Sequence, residues 1–261
     1  MDKLKMNTLL AKVDQEQKGF ATTQQQTATK LRDQKSFLGE KKTYSPRDGY
    51  PEDPSKMGTK RVATTVVEVL SNYIQGVTPY LKDLFAVEAT NSKGAKTVEL
   101  VVDGKSFGHL TALELMRLKS VLQNEVIAGY IPTRSDSEVW TPTSDEDYKD
   151  REVFETPMLK GVTRTTESEV YVLRDPNLDP QHIPSGYRPE TTTKKRTVEI
   201  GDYTSQKFSG EWNQKQAADV QHRRAALLTA VIAALKEVND QEAEEARLNV
   251  SGVLDYIYFG K

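Results

Sequence analysis

Leu4, Met6, Leu9, Leu10, Val13, Phe20 and Leu31 recur three, four or seven residues apart, with Gln and Thr between them. Side chains at that spacing share one face of an α-helix, so the pattern predicts a helix over residues 3–33 with a narrow apolar stripe. Residues 22–29 are Gln, Thr and Ala. A helix this poor in apolar contacts needs a covering surface, because packing supplies most helix stability. Gly39, Pro46, Gly49, Pro51, Pro54 and Gly58 then give residues 36–59 the composition of a loop. The reading therefore divides the chain into a helical arm, residues 1–35, and a single α+β domain, residues 36–261.

Helical spacing returns over 62–85 through Val62, Val66, Val67, Leu70, Tyr73, Ile74, Val77, Leu81 and Leu84, with Pro79 expected to kink or restart the helix. Residues 97–102 are apolar and β-branched and run into Asp103-Gly104, a strand meeting a tight turn, and residues 85–89 offer themselves as its hairpin partner. A second core helix is expected over 111–128, stopped by Gly129. Between 132 and 210 short alternating runs of Thr, Val, Tyr and charged residues predict an antiparallel sheet with long loops. The longest helical pattern, 211–248, puts Val220, Leu227, Leu228, Val231, Leu235 and Val238 on one face. It precedes an aromatic tail, residues 253–259. The fold class that follows is α+β: long amino- and carboxy-terminal helices, a central helical pair with a β-hairpin, and an antiparallel sheet region.

Composition narrows the function. Lys and Arg number 36 against 38 Asp and Glu, so no global field draws the chain onto nucleic acid or an anionic membrane. Cysteine is absent, which removes disulfides, thiolate metal sites and a cysteine nucleophile and fits a reducing compartment. No run approaches the roughly 18 apolar residues of a membrane helix, and a bacterial cytoplasmic location is the expectation.

Local motifs add little chemistry. Gly104-Lys105-Ser106 follows a strand as a phosphate loop would, but Glu99 stands where that motif needs its first glycine. Asp145, Glu146, Asp147 and Asp150 lack the alternating spacing and central glycine of a calcium loop and read as a solvated acidic loop. His109, His182 and His222 form no local metal motif, and no Gly-x-Ser-x-Gly occurs. No cofactor and no metal are expected. Basic clusters at Lys194-Lys195-Arg196 and Arg223-Arg224 could contact phosphate.

Three marks carry a resemblance: Phe37-Leu38-Gly39 with Lys42-Thr43-Tyr44-Ser45-Pro46; then Val101-Val102-Asp103-Gly104-Lys105; then the run 200–210, Ile-Gly-Asp-Tyr-Thr-Ser-Gln-Lys-Phe-Ser-Gly, leading into the long helix. In their order the chain resembles an uncharacterised, mainly actinobacterial family carrying a domain of unknown function. The resemblance implies a bacterial, cytoplasmic, single-unit protein and brings no active site with it.

The leading expectation is a non-enzymatic, self-assembling structural or scaffolding protein that forms a homo-oligomer, as a ring, cage or filament. Its interface residues would be Leu9, Val13 and Phe20 of the arm, Leu227, Val231 and Leu235 of the long helix, and Tyr256, Ile257 and Phe259 of the tail. The alternative is a nucleic-acid-associated accessory protein acting through Lys194, Lys195, Arg196, Arg223 and Arg224. An enzyme with a dispersed acidic site ranks third. The expected partner is the chain itself, with no membrane.

Overall fold

The structure, a computed structural model, describes residues 5–173, 188, 190–240, 249, 251–253 and 257. It is α+β, as the patterning predicts. The chain divides into two compact units, neither of them continuous in sequence: Met1–Thr23, Gly76–Ala128 and Ala218–Lys261 form the first, Gln24–Gln75 and Gly129–Ala217 the second. Helices α1 (Met6–Arg32), α2 (Val66–Asn91) and α4 (Gln214–Val238) each have residues in both units.

In the first unit the thin stripe of α1 finds its cover on α2. Leu9 and Val13 are buried with Val87, and Tyr80 and Leu84 pack beside them. The Phe20 and Tyr80 rings lie 4.7 Å apart, and Lys12 pairs with Asp83. Helix α2 continues past Pro79, which withdraws one main-chain donor without ending the helix. A second cluster joins β3 (Thr97–Val102), α3 (Ala112–Gln123) and α4: Val98, Leu100, Leu115, Val231, Ala234 and Val238 are its buried members.

Two sequence expectations fail in this unit. Residues 85–89 are not a strand but the end of α2, and the partner of β3 is β4 (Lys105–Thr111). The reason lies in the turn: Asp103 and Gly104 both have positive φ, 49° and 76°, the backbone that joins consecutive strands through a two-residue loop. The apolar alternation of 85–89 serves instead to bury Val87 on α1. The helix over 111–128 stops early, with Asn124 as its C-cap, and Ile127–Tyr130 forms a separate short 3-10 turn. Its start is firmly fixed. Thr111 and Glu114 exchange side-chain and backbone hydrogen bonds as a capping box.

The second unit is built on an antiparallel sheet in the order β2-β1-β8-β6-β5, with β7 also paired to β8. Here β1 is Leu38–Pro46, β2 Gly58–Lys60, β5 Thr141–Pro142, β6 Phe154–Glu155, β7 Leu159–Val172 and β8 Thr191–Ser209. The loop expected over 36–59 is thus corrected: its first half is an interior strand of the sheet, between β2 and β8. Nine register pairs with β8, from Leu38↔Ser209 to Pro46↔Gly201, hold β1 in place, whereas few of its side chains are buried. The main-chain ladder, invisible to hydrophobic patterning, decides this segment. Val62, Tyr148, Val153 and Phe208 make the core beside the sheet; the Tyr148 and Phe208 rings lie 5.3 Å apart, and the Tyr148 hydroxyl accepts from the Val62 N–H at 3.1 Å.

Two glycines in these strands exist to admit rings. An added Cβ at Gly161 would strike the Tyr203 ring, and one at Gly201 the Tyr44 ring. A glycine in a strand interior marks such a close approach.

Candidate functional site

Strand β8 has two contrasting halves. From Gly201 to Ser209 it is flanked by β1 on one side and by β7 and β6 on the other. From Thr191 to Glu199 the only described strand beside it is β7, in the register Arg164↔Glu199 to Val172↔Thr191. A bulge between Thr163 and Arg164 marks the change, as bulges do where a strand alters course. Beyond it β7 and β8 are a two-stranded ribbon.

Directly opposed residues in a sheet share a face. One face of the ribbon therefore carries Glu167 opposite Arg196 and Glu169 opposite Lys194. The Tyr50 hydroxyl donates to Glu167 Oε1 at 2.7 Å, the Tyr171 hydroxyl donates to Glu169, and Lys194 Nζ sits 5.1 Å from the Tyr171 ring centroid. Each hydrogen bond to a carboxylate pushes its phenol up from the ordinary value of 10.0. The other face carries Thr166, Ser168, Val170 and Val172 against Thr197, Lys195, Thr193 and Thr191. Val170 and Val172 are 62% and 63% exposed, and Tyr171 and Leu173 are exposed beside them.

At the ribbon's root Glu199 is held by two guanidinium groups, Arg164 Nη2 at 3.1 Å and Arg47 Nη1 at 2.6 Å, which keep its carboxyl below the ordinary range. On the same sheet two clefts lie to either side of Leu159 and share Ser205. One, of about 280 Å³, reaches Glu138 and Lys207; the other, of about 380 Å³, reaches Lys42, Lys56 and Tyr203. Their lysines are engaged, Lys207 with Glu138, Lys42 with Glu40 at 2.8 Å and Lys56 with Asp53 at 3.0 Å. Such neutralised pairs give these clefts polarity without a free charge.

The buried acid of this unit has a structural setting. Glu211 accepts from Ser209 Oγ at 3.2 Å, and burial pushes its carboxyl up from 4.5 against the pull of Ser209 and Arg134. Arg134 donates to the Glu211 carbonyl at 2.9 Å and lies 3.7 Å over the Phe154 ring. Among the described residues no three His, Asp or Glu side chains converge as metal ligands.

The sequence-predicted residues are dispersed. Leu9, Val13 and Val231 are buried inside the first unit, with Leu227 and Leu235 packed against the Val231 cluster and Phe20 against Tyr80. Their side chains are covered by their own unit. Ile257 is exposed, while Tyr256 and Phe259 lie outside the described residues. Lys194 and Arg196 oppose Glu169 and Glu167 on the ribbon, with Lys195 on its other face. Arg223 is exposed, and Arg224 donates from Nε to the Leu122 carbonyl at 3.0 Å, capping the end of α3. The two basic clusters fall in different units. Of the acidic loop, Asp145 accepts from the Asp147 N–H and Asp147 pairs with Arg61 at 2.9 Å.

Sequence reasoning missed the ribbon as an exposed element, although it placed these residues in the antiparallel sheet region, 132–210. The signal was present: from Thr191 to Thr197 neither face of β8 carries an apolar residue, which a strand packed on a core would require.

No described helix is long and apolar enough to cross a membrane. No curated protein and no solved structure matches the chain. Its sequence places it nonetheless: residues 3–259 match the model of the Family of unknown function (DUF7873), and the chain belongs to that family.

Proposed function

We propose that this chain is a non-enzymatic structural or scaffolding protein that assembles with further copies of itself, with the β7–β8 ribbon as its contact arm and the tail around Ile257 as a second contact. The observation that supports this reading most is the outer ribbon. A two-stranded ribbon alone in water is marginally stable, and this one holds Val170, Tyr171, Val172 and Leu173 exposed in one run. Enclosing large apolar side chains is worth about 1.5–3 kcal/mol each, a gain that a neighbouring copy would realise. The buried members of the predicted interface, Leu9, Val13 and Val231, then act as each copy's own core. A chain with no cysteine has no need of an oxidising compartment, and the reading sets the assembly in the cytoplasm.

Mass photometry at sub-micromolar concentration tests the proposal. Particles at multiples of the 29.3 kDa chain mass are expected. A single population at the monomer mass overturns it.

A further inference from the structure

The outer ribbon has two open edges. Among the described residues no strand pairs with the outer side of β7, and none pairs with β8 on the side away from β7 between Thr191 and Glu199. An unpaired edge presents a row of main-chain donors and acceptors that can template another strand. The open lengths match: nine residues on β8, 191–199, lie against nine on β7, 164–172, and each spans about 30 Å at the antiparallel rise.

The edges differ in charge. Strand β7 carries Glu167 and Glu169 and no base between Thr165 and Val172, whereas β8 carries Lys194, Lys195 and Arg196 and no acid between Thr191 and Val198. Two β7 edges brought together would face carboxylates with carboxylates, and two β8 edges would face cations with cations. Like charges directly across a ladder destabilise it and opposite charges favour it. Only unlike edges fit.

Resting on the self-assembly reading, we infer that the acidic β7 edge of one copy pairs antiparallel with the basic β8 edge of the next, extending one sheet from ribbon to ribbon. All ribbons in the row then point the same way. The contact is heterologous, so the assembly grows head to tail until its rotation closes a ring or leaves an open filament. Strand β1 already covers β8 from Gly201 to Ser209, which confines each joint to the outer ribbon. The β-branched face with Val170 and Val172 becomes one surface running across neighbouring copies.

Charge exchange tests this. E167K/E169K has two basic edges and K194E/K195E/R196E two acidic ones. Each alone is expected at the monomer mass, and an equimolar mixture is expected to recover the wild-type assembly by alternating the two. The mixture is decisive, because mixing cannot repair the pairs inside a single ribbon. Combining all five substitutions restores opposite signs both within the ribbon and between copies, and this variant is expected to assemble alone. If the wild type assembles while the five-fold variant stays monomeric, edge pairing is overturned, even should a single-edge variant misfold. It is overturned equally if either single-edge variant assembles as the wild type does, with the self-assembly reading intact. A monomeric wild type removes both. Raising the salt from 0.05 to 0.5 M should weaken the wild-type contact, since it screens exposed charges.

Discussion

Strand β8 runs beside β7 from Thr191 to Ser205 and continues to Ser209, yet its two ends live in different surroundings. Near Phe208 and Ser209, which are 3% and 0% exposed, β8 is enclosed by β1, β6 and the core of its unit. Near Thr191 the same strand has one neighbouring strand among the described residues, and its partner's Val172 is 63% exposed. A sheet gains stability from side-chain pairs and from what covers its faces, more than from any intrinsic taste of a residue for extended backbone. The root of the ribbon should therefore answer for the fold, and the outer half for whatever meets it. Both tryptophans, Trp140 and Trp212, belong to the second unit, so their fluorescence reads unfolding there.

The largest effect is expected at the root. Phe208 shares a cluster of four buried residues with Val62, Tyr148 and Val153, and Phe208→Ala would leave a cavity there. A loss of about 3–5 kcal/mol in the urea unfolding of the second unit is expected. A loss under about 1 kcal/mol would mean that the root is no better packed than the outer half, and the comparison would fail.

Next comes the clamp that holds the chain around this core. Arg151 binds Glu68 through two bonds, Nε at 2.7 Å and Nη2 at 3.0 Å, and donates to the Val62 carbonyl at 3.1 Å. Because Glu68 is 40% exposed, solvent screens much of the pair, and Arg151→Ala should cost about 1–2 kcal/mol at neutral pH. The pH dependence has a definite sign. Arg151 holds the Glu68 carboxyl below its ordinary 4.5, so the pair's stabilisation is complete above that value and is lost as pH falls through the lowered one. The gap between wild type and Arg151→Ala should be constant from pH 7 to 5 and shrink below about 4. A gap that holds steady down to pH 3 would assign the stability to the carbonyl contacts instead.

How far the sequence disclosed this arrangement depends on the kind of force involved. Helices α1, α2 and α4 were legible because burial imposes a 3.6-residue period, and Leu9, Val13 and Val231 occupy the positions the period assigns them. That the same side chains are covered by α2 and by the α3–α4 cluster is a matter of which face meets which. Periodicity does not carry that information. Strand β1 escaped because Glu40-Lys41-Lys42 looks like a solvated turn, and its place is fixed by main-chain bonds to β8 that any residue can make. The β4 partner of β3 was missed although Asp103-Gly104 announced a two-residue turn, since the apolar alternation at 85–89 competed with it. The ribbon was hardest. Its strands are ordinary Thr- and Val-rich strands, and only the absence, among the described residues, of a second strand beside residues 191–199 of β8 makes them an arm.

The smallest expected effect on stability concerns the outer half and sharpens the comparison most. Val170→Thr and Val172→Thr keep a β-branched shape, and so the strand preference, while replacing one methyl with a hydroxyl. Both side chains are mostly in solvent already, and the double variant should unfold within about 0.5 kcal/mol of the wild type. If the ribbon meets other copies, the same change should shift mass-photometry populations toward the monomer, because the buried contact loses apolar surface and must accommodate two hydroxyls. A protein unchanged in both measurements would mean that this face touches nothing. One destabilised by 2 kcal/mol or more would mean that the face is covered within the chain itself, and the contrast between root and outer half would dissolve.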